Sequence, residues 1–220
     1  MPDVERLSLA TLGRVPAAVA RPKYDPATLP VGILHLGLGA FHRAHQAVYT
    51  DDLLAADPRW GICGVSLKTP RAIEPLAAQD GLYTLLTRGG GATSARVIGS
   101  VRETIFAGSA RAALVARFAD PRIAIVTATV TEKGYCHDPA TGALNDTHPD
   151  IVHDLEFPDQ PASAIGIVVA GLAARRAAGA GALTFVCCDN LPHNGRWSKG
   201  SSTRSHGAAI RNSCAGSPRA

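Results

Sequence analysis

The chain has little that a membrane-bound or exported protein needs. Its 220 residues include no apolar run long and uninterrupted enough to span a bilayer, because the most apolar helical stretch, 163–179, contains Arg175 and Arg176. The N-terminus carries early acidic residues and no continuous apolar core, which argues against a secretory signal. We therefore expect a cytoplasmic protein with no membrane partner.

Cysteine pairs and a basic domain surface are also missing. The five cysteines form no C-x-x-C pair, and their odd number without an export signal predicts reduced thiols: Cys63, Cys136, Cys187, Cys188 and Cys214. The net charge of +4 comes from residues 196–220, which hold five of the 22 basic residues and no acid, so that 17 basic residues stand against 18 acidic ones elsewhere. Aromatic residues make up only 5% of the chain and are not interleaved with basic ones. We therefore expect no nucleic-acid partner.

Apolar runs typical of buried strands alternate with segments of helical pattern. The strand-like runs are 31–37, 60–67, 122–132 and 182–189, and the helical segments are 40–57, 109–121 and 161–181. Two further runs, LYTLLTRG and ARVIGSVRETIFA, predict a hairpin across GGGAT. The alternation predicts an α/β fold with a doubly wound parallel sheet. The predicted organisation is an N-terminal arm with little regular structure at 1–30, a main α/β domain at 31–195 and a divergent, disordered tail at 196–220.

The most informative segment is HLGLGAFHRAHQ, residues 35–46, which joins a predicted strand to a predicted helix. Gly37 and Gly39 stand where a dinucleotide-binding loop has its first two glycines, and His42 stands in place of the third. Free N–H groups at the helix start favour an anion, and Arg43 can add a charge-assisted contact to phosphate. The glycines alone leave two alternatives: a plain strand-to-helix turn, or the similar loop of a methyl-donor site.

The residues after the second strand bear on the choice of nucleotide. A dinucleotide site that prefers NAD has an acid here to hold the ribose, but the segment SLKTPRA has Lys68 and Arg71 instead. These cations either accept the 2′-phosphate of NADP or are solvated surface charges. His42 and His45 have the spacing of a metal pair on a helix, but no cysteine or carboxylate completes a shell, so we predict no metal site.

Polar residues also follow the last predicted strand, in the segment CDNLPHNG. Asp189, Asn190 and Asn194 lie where a ligand crevice opens at the edge of a parallel sheet, and an asparagine can donate to a developing alkoxide. The alternative is a turn that these side chains stabilise for structural reasons only.

Four segments together go beyond these general arguments: LHLGLGAFHRAHQAVYTDDLL, WGICGVSLKTP with QDGLYTLLTR, TVTEKGYCHDPATGALN and FVCCDNLPHNG. In this order they resemble the mannitol dehydrogenase family of polyol-specific long-chain dehydrogenases, over about residues 31–195. The resemblance implies a Rossmann domain whose loop carries Phe-His-Arg in place of the third glycine. It assigns Gly37, Gly39, Phe41 and Arg43 to the cofactor site, and Asn190 to the substrate's reacting oxygen. Lys68 is a cofactor-site candidate from its position after the second strand, where some family members have an acid that selects NAD.

The resemblance also implies an activity: zinc-independent hydride transfer between NAD, or alternatively NADP, and a secondary alcohol or ketone of a linear polyol or hexuronate. The family's general-base lysine lies in a K-x-x-x-x-N-x-x-H motif within a second, helical domain, and nothing in 196–220 matches that motif. Lys199 does not belong to it. We therefore expect a Rossmann domain with the family's C-terminal helical domain missing, through a truncated or frame-shifted gene. This leaves two alternatives, a dehydrogenase by family or a non-catalytic nucleotide-binding fragment, and the oligomeric state is not indicated.

Overall fold

The structure is a computed structural model, and it describes residues 5–138 and 143–190. The chain divides into two compact units, Met1–Gly108 and Ser109–Ala220. The strands of the described residues, in chain order, are β1 (Val19–Ala20), β2 (Val31–Leu36), β3 (Gly61–Ser66), β4 (Tyr83–Gly89), β5 (Ala92–Ile98), β6 (Val101–Phe106), β7 (Ile125–Ala128) and β8 (Thr184–Cys187). The α-helices are α1 (Ala40–Ala44), α2 (Gln46–Leu53), α3 (Glu74–Ala77), α4 (Ala107–Phe118), α5 (Thr131–Gly134), α6 (Pro149–Glu156) and α7 (Ala164–Ala177).

The first unit is built on three parallel strands in the order β6–β3–β2. Every residue of β2 is buried, as expected for a continuous apolar run in a strand covered on both faces. Cys63 and Gly64 of the neighbouring strand are also buried, and an added Cβ on Gly64 would lie 2.5 Å from Leu38 Cδ2. The chain after β2 therefore packs directly onto β3. The predicted α/β fold with a parallel, Rossmann-type sheet is confirmed.

A second, smaller sheet in this unit has the order β1–β5–β4. Strands β4 and β5 form the predicted hairpin, in which Tyr83 pairs with Ile98 and Gly89 with Ala92. The run ARVIGSVRETIFA is not one strand, however, because the chain turns at Gly99 and Ser100 and enters β6 of the parallel sheet. Residues 5–30 contain only β1 and two short 3-10 turns, and Val19 pairs with Ala95 of the small sheet.

The helix predicted at 40–57 is broken in two. His45 has φ −128° and ψ −90°, outside the helical region, and separates α1 from α2. The second helix already ends at Leu53, four residues before the predicted end at 57. The break makes α1 a separate short helix, which begins directly after Gly39 of the glycine loop.

The second unit contains the parallel pair β7–β8, in which Val126 pairs with Phe185. The strand predicted at 122–132 is limited to β7, because Thr131 adopts a left-handed backbone (φ 66°) and begins a short helix. Ser163 caps α7, accepting a hydrogen bond from Gly166 N–H at 2.8 Å. Helix α6 was not predicted. His148 is its N-cap.

Arg175 is buried, although the sequence indicated only an interruption of an apolar helix. Its side chain is 3% exposed and donates to five backbone carbonyls, those of Phe118, Asp120, Ala180, Gly181 and Ala182. The guanidinium thus donates to carbonyls of the segments that follow α4 and α7, so its buried N–H groups have partners within the protein.

Within residues 5–138 and 143–190, no helix has both the length and the apolarity to cross a bilayer. The predicted disordered tail at 196–220 lies outside the described residues, as does Asn194 of the predicted loop.

Candidate functional site

The glycine loop makes a tight turn between β2 and α1. Gly37 has φ 101°, a conformation that side chains rarely adopt, so glycine is required there. The N–H groups of Gly37 and Leu38 both donate to the carbonyl of Val65 on β3, at 2.9 Å each. The N–H group of Gly39 donates to the carbonyl of Gly37 at 2.6 Å. The turn is therefore fixed against the neighbouring strand, and the first three N–H groups of the loop are used by the protein itself.

Gly39 leaves open space beside the backbone at the start of α1. A Cβ built on Gly39 would have only the carbonyl oxygen of Gly37 within 4 Å, at 3.7 Å, and the residue is exposed. No side chain caps the N-terminus of α1. The backbone can therefore be approached closely from outside by a ligand group that accepts hydrogen bonds, as the second glycine of a dinucleotide loop requires.

His42 shows how the loop does without a third glycine. Its imidazole stacks on that of His35 in β2, with ring centroids 3.5 Å apart, and both residues are buried. A third glycine would let helix and strand pack closely, whereas here two flat rings fill the space between them. Burial lowers the pKa of His42 to about 2 and that of His35 to about 4, so both rings are neutral at pH 7. His35 Nε2 donates to the carbonyl of Gly37, at 3.1 Å, which ties the stack to the turn.

Phe41 and Arg43 lie on the first turns after the loop but in different surroundings. Phe41 is 61% exposed, and its ring stacks on His45 with centroids 5.2 Å apart. Arg43 is half-buried, and its Nη1 donates to the carbonyl of Leu38 at 3.3 Å. Its own carbonyl accepts from the Tyr83 hydroxyl at 2.6 Å. Arg43 therefore stabilises the loop through this hydrogen bond and places a positive charge next to it.

Lys68 follows the end of β3. It is exposed, and in the same turn the Ser66 hydroxyl donates to the carbonyl of Thr69. Arg71 is also exposed and lies in the next short 3-10 turn. The structure thus places Gly37, Gly39, Phe41 and Arg43 in the glycine loop and the short helix that follows it. Lys68 lies just after β3, the strand to which the loop is hydrogen-bonded.

In the second unit, Asp189 organises the ends of β7 and β8. Its carboxylate accepts from the N–H groups of Val130 and Thr131, at 3.0 and 3.1 Å, and from the Tyr135 hydroxyl at 2.7 Å. Burial and the hydrogen bonds to Cys187 and Asp189 raise the pKa of Tyr135 above its usual range. Asn190 follows directly and is exposed. The DNLP segment therefore combines an anchored acid with an amide that is open to a ligand.

The His35–His42 stack and the Asp189–Tyr135 bond were not predicted. The members of the second pair are separated by 54 positions and belong to no shared local pattern. The predicted alternation of strands and helices places Asp189 and the end of β7 at the same edge of the sheet. This is the one sequence feature that indicates a contact between Asp189 and the segment after β7. Nothing in the sequence around His35 distinguishes it from an ordinary residue of a buried strand.

The buried parallel strands, the positive-φ glycine and the open helix start define a Rossmann-type domain. The chain belongs to the mannitol dehydrogenase family, because a profile of the mannitol dehydrogenase Rossmann domain matches residues 31–212. The match extends past Gly195, where the family-like motifs of the sequence end.

Several relatives from bacteria have named activities. The chain is 47% identical over 182 residues to mannitol 2-dehydrogenase of Cereibacter sphaeroides, covering 81% of this chain and 38% of that protein. It is 46% identical over 186 residues to D-mannonate oxidoreductase of Escherichia coli, covering 82% and 38%. The structure superposes on Pseudomonas fluorescens mannitol 2-dehydrogenase in ternary complex with NAD and D-mannitol, with TM-score 0.87, 41% identity and coverage of 91% and 42%. The chain thus spans about two fifths of the length of these relatives.

Proposed function

We propose that this chain binds a nicotinamide dinucleotide at the loop from Gly37 to Arg43. The observation that carries the proposal is the open space beside Gly39 at the uncapped start of α1, which follows a turn that only glycine can make at position 37. A pyrophosphate needs such a close approach to backbone N–H groups. The relative from Pseudomonas fluorescens, whose solved complex contains NAD, supports the choice of ligand.

The residues present fit that cofactor. The loop is held from behind by the carbonyl of Val65 and by the His35–His42 stack, so its outer face does not have to be ordered when the ligand binds. Arg43 supplies a positive charge beside the loop, and the exposed ring of Phe41 offers an apolar surface to a planar group.

Calorimetric titration of the full chain with NADH tests the proposal, with Gly39→Val as the disrupting variant. The added side chain fills the approach to the backbone but meets only one protein atom near the Cβ position, so we expect at least a tenfold loss of NADH affinity from a folded protein. Gly13→Val is the matched control, because a Cβ on Gly13 has nothing within 4 Å and Gly13 lies far from the loop in sequence. Equal NADH affinity in wild type and Gly39→Val would refute the site. Binding of S-adenosylmethionine in place of NADH would identify a methyl-donor loop.

We further propose that Lys68 lets the site accept the 2′-phosphate of NADP. The support is its position after β3, with a cation where an NAD-selective site has an acid. In the same titration, Lys68→Glu is expected to weaken NADPH binding several-fold more than NADH binding. A proportional change for both nucleotides would show that Lys68 is only a surface charge.

For the reaction, we propose hydride transfer between the nicotinamide and a secondary alcohol or ketone of a linear polyol or hexuronate, with Asn190 donating to the reacting oxygen. The support is membership of the family, the two named relatives and the exposed amide next to the anchored Asp189. The experiment measures NADH oxidation with fructose or fructuronate, and NAD reduction with mannitol or mannonate. Asn190→Ala should lower turnover about 10²–10³-fold, as for loss of one donor to a developing oxyanion, and leave the NADH dissociation constant unchanged.

The second candidate is a nucleotide-binding module without catalysis. It is favoured by the lack of the family's K-x-x-x-x-N-x-x-H motif in this sequence, since a general acid–base group contributes about 10²–10⁴-fold to a rate. NADH binding without detectable turnover on any of the four substrates would establish this candidate. Turnover that Asn190→Ala reduces would exclude it.

A further inference from the structure

Three metal-ligating side chains that the proposed function does not use meet in the second unit. One ligand atom each of Cys136, His148 and Asp150 lies within 4.8 Å of the other two. Cys136 is buried, whereas His148 and Asp150 are half-buried. The residues are twelve and two positions apart in the chain, and the fold alone brings the cysteine to the other two.

The backbone around these residues is already fixed. Cys136 adopts a left-handed conformation (φ 48°), and its carbonyl accepts from Asn145 N–H at 2.8 Å. The carbonyl of Asn145 in turn accepts from His148 N–H at 3.0 Å. At the start of α6, His148 Nδ1 accepts from Asp150 N–H at 3.2 Å, which sets the imidazole beside the aspartate. The three side chains thus converge through a short chain of backbone hydrogen bonds, which is independent of any ligand.

We propose that Cys136, His148 and Asp150 form a zinc site that stabilises the second unit and takes no part in hydride transfer. Thiolate, imidazole and carboxylate are the three ligand types that zinc accepts, and three protein ligands leave a fourth position for water. A thiolate and a carboxylate together balance the charge of Zn²⁺. Thiolate ligation also favours zinc over magnesium or calcium, which take oxygen ligands.

The spacing is close to what zinc requires. Bonds of about 2.0–2.3 Å in a tetrahedral site place neighbouring ligand atoms about 3.3–3.8 Å apart. The present limit of 4.8 Å is therefore at most about 1.0–1.5 Å too wide, and rotation of the half-buried Asp150 and His148 side chains can supply the difference. The bound ion would join the loop at Cys136 to the first turn of α6, a connection that otherwise rests on backbone hydrogen bonds.

The test is metal binding by the full chain, first treated with a chelator and then titrated with Zn²⁺ or Co²⁺. We expect one ion per chain, release of the thiol proton, a higher thermal midpoint and a thiolate-to-Co²⁺ charge-transfer band. Cys136→Ser should abolish the band, and Asp150→Asn should weaken Zn²⁺ binding by at least about 10-fold, the lower end of the effect seen even for outer-shell partners. Cys188→Ser is the control, because Cys188 is half-buried and lies outside the cluster.

The outcomes separate clearly. A folded wild-type chain that binds no Zn²⁺, or a Co²⁺ complex without a thiolate band, overturns the proposal. It is also overturned if Cys136→Ser and Asp150→Asn both bind Zn²⁺ as wild type does. If Cys136→Ser does not fold, Asp150→Asn and the cobalt spectrum of the wild type decide, since Asp150 is only half-buried. NADH binding through the glycine loop is unaffected by any of these results, so the two proposals fail separately.

Discussion

The stacked histidines make the stability of the first unit sensitive to acid. His35 and His42 are buried and neutral, and neither ring nitrogen of His42 has a hydrogen-bond partner among the described residues. Burial lowers the pKa of His42 to about 2 and of His35 to about 4, against 6.5 in the unfolded chain. Below about pH 6.5 the histidines of the unfolded chain therefore bind protons that those of the folded chain do not. The free energy of unfolding decreases as the pH is lowered.

The size of the effect follows from about 1.4 kcal/mol for each pH unit and each group. Between pH 7.5 and pH 4.5, His42 removes about 3 kcal/mol from the free energy of unfolding and His35 slightly less, so that the pair removes about 5 kcal/mol. A domain of ordinary stability, about 5–15 kcal/mol, loses much of its margin over this interval. Below pH 4 the contribution of His42 continues to lower the free energy of unfolding, whereas the contribution of His35 levels off.

Urea unfolding at several pH values, followed by circular dichroism, measures this loss. His42→Phe keeps a ring on His35 but cannot be protonated, so its stability should fall by about 3 kcal/mol less than that of wild type over the same interval. At pH 7.5 the variant should be at least as stable as wild type, because it removes two buried polar atoms without partners. His45→Gln, at an exposed position, should keep the full pH dependence. Identical losses in wild type and His42→Phe would refute the reasoning.

Three further predictions concern unfolding free energies, measured by urea unfolding at pH 7.5. Arg175→Met should cost about 3 kcal/mol, because the buried carbonyl of Phe118 and the half-buried carbonyl of Ala180 lose the hydrogen bond that Arg175 donates; a cost below 1 kcal/mol would contradict this. Asp189→Asn should cost about 1–3 kcal/mol, since an amide presents one acceptor oxygen to three donors, and unchanged stability would argue against the anchor. Gly64→Ala should cost about 1–3 kcal/mol, because the new methyl group overlaps the buried Leu38 side chain, whereas Gly13→Ala should be close to neutral.

Much of the cofactor loop could be predicted from the sequence, because its requirements are local. A buried strand, a glycine at a position of positive φ and a helix start occupy adjacent residues, so the pattern around Gly37 and Gly39 carries the geometry. The parallel α/β fold and the cap of α7 at Ser163 follow for the same reason. Backbone conformation and hydrophobic periodicity are properties of neighbouring residues.

What the sequence could not determine depends on residues that meet only after folding. Nothing local indicates that His42 stacks on His35, that Asp189 holds the end of β7, or that Arg175 is buried among carbonyls. The division of residues 95–107 between two sheets is of the same kind, since hydrogen-bonding partners elsewhere in the chain decide where a strand ends. A polar side chain is stable inside a protein only when its partners are supplied, and tertiary structure alone supplies them.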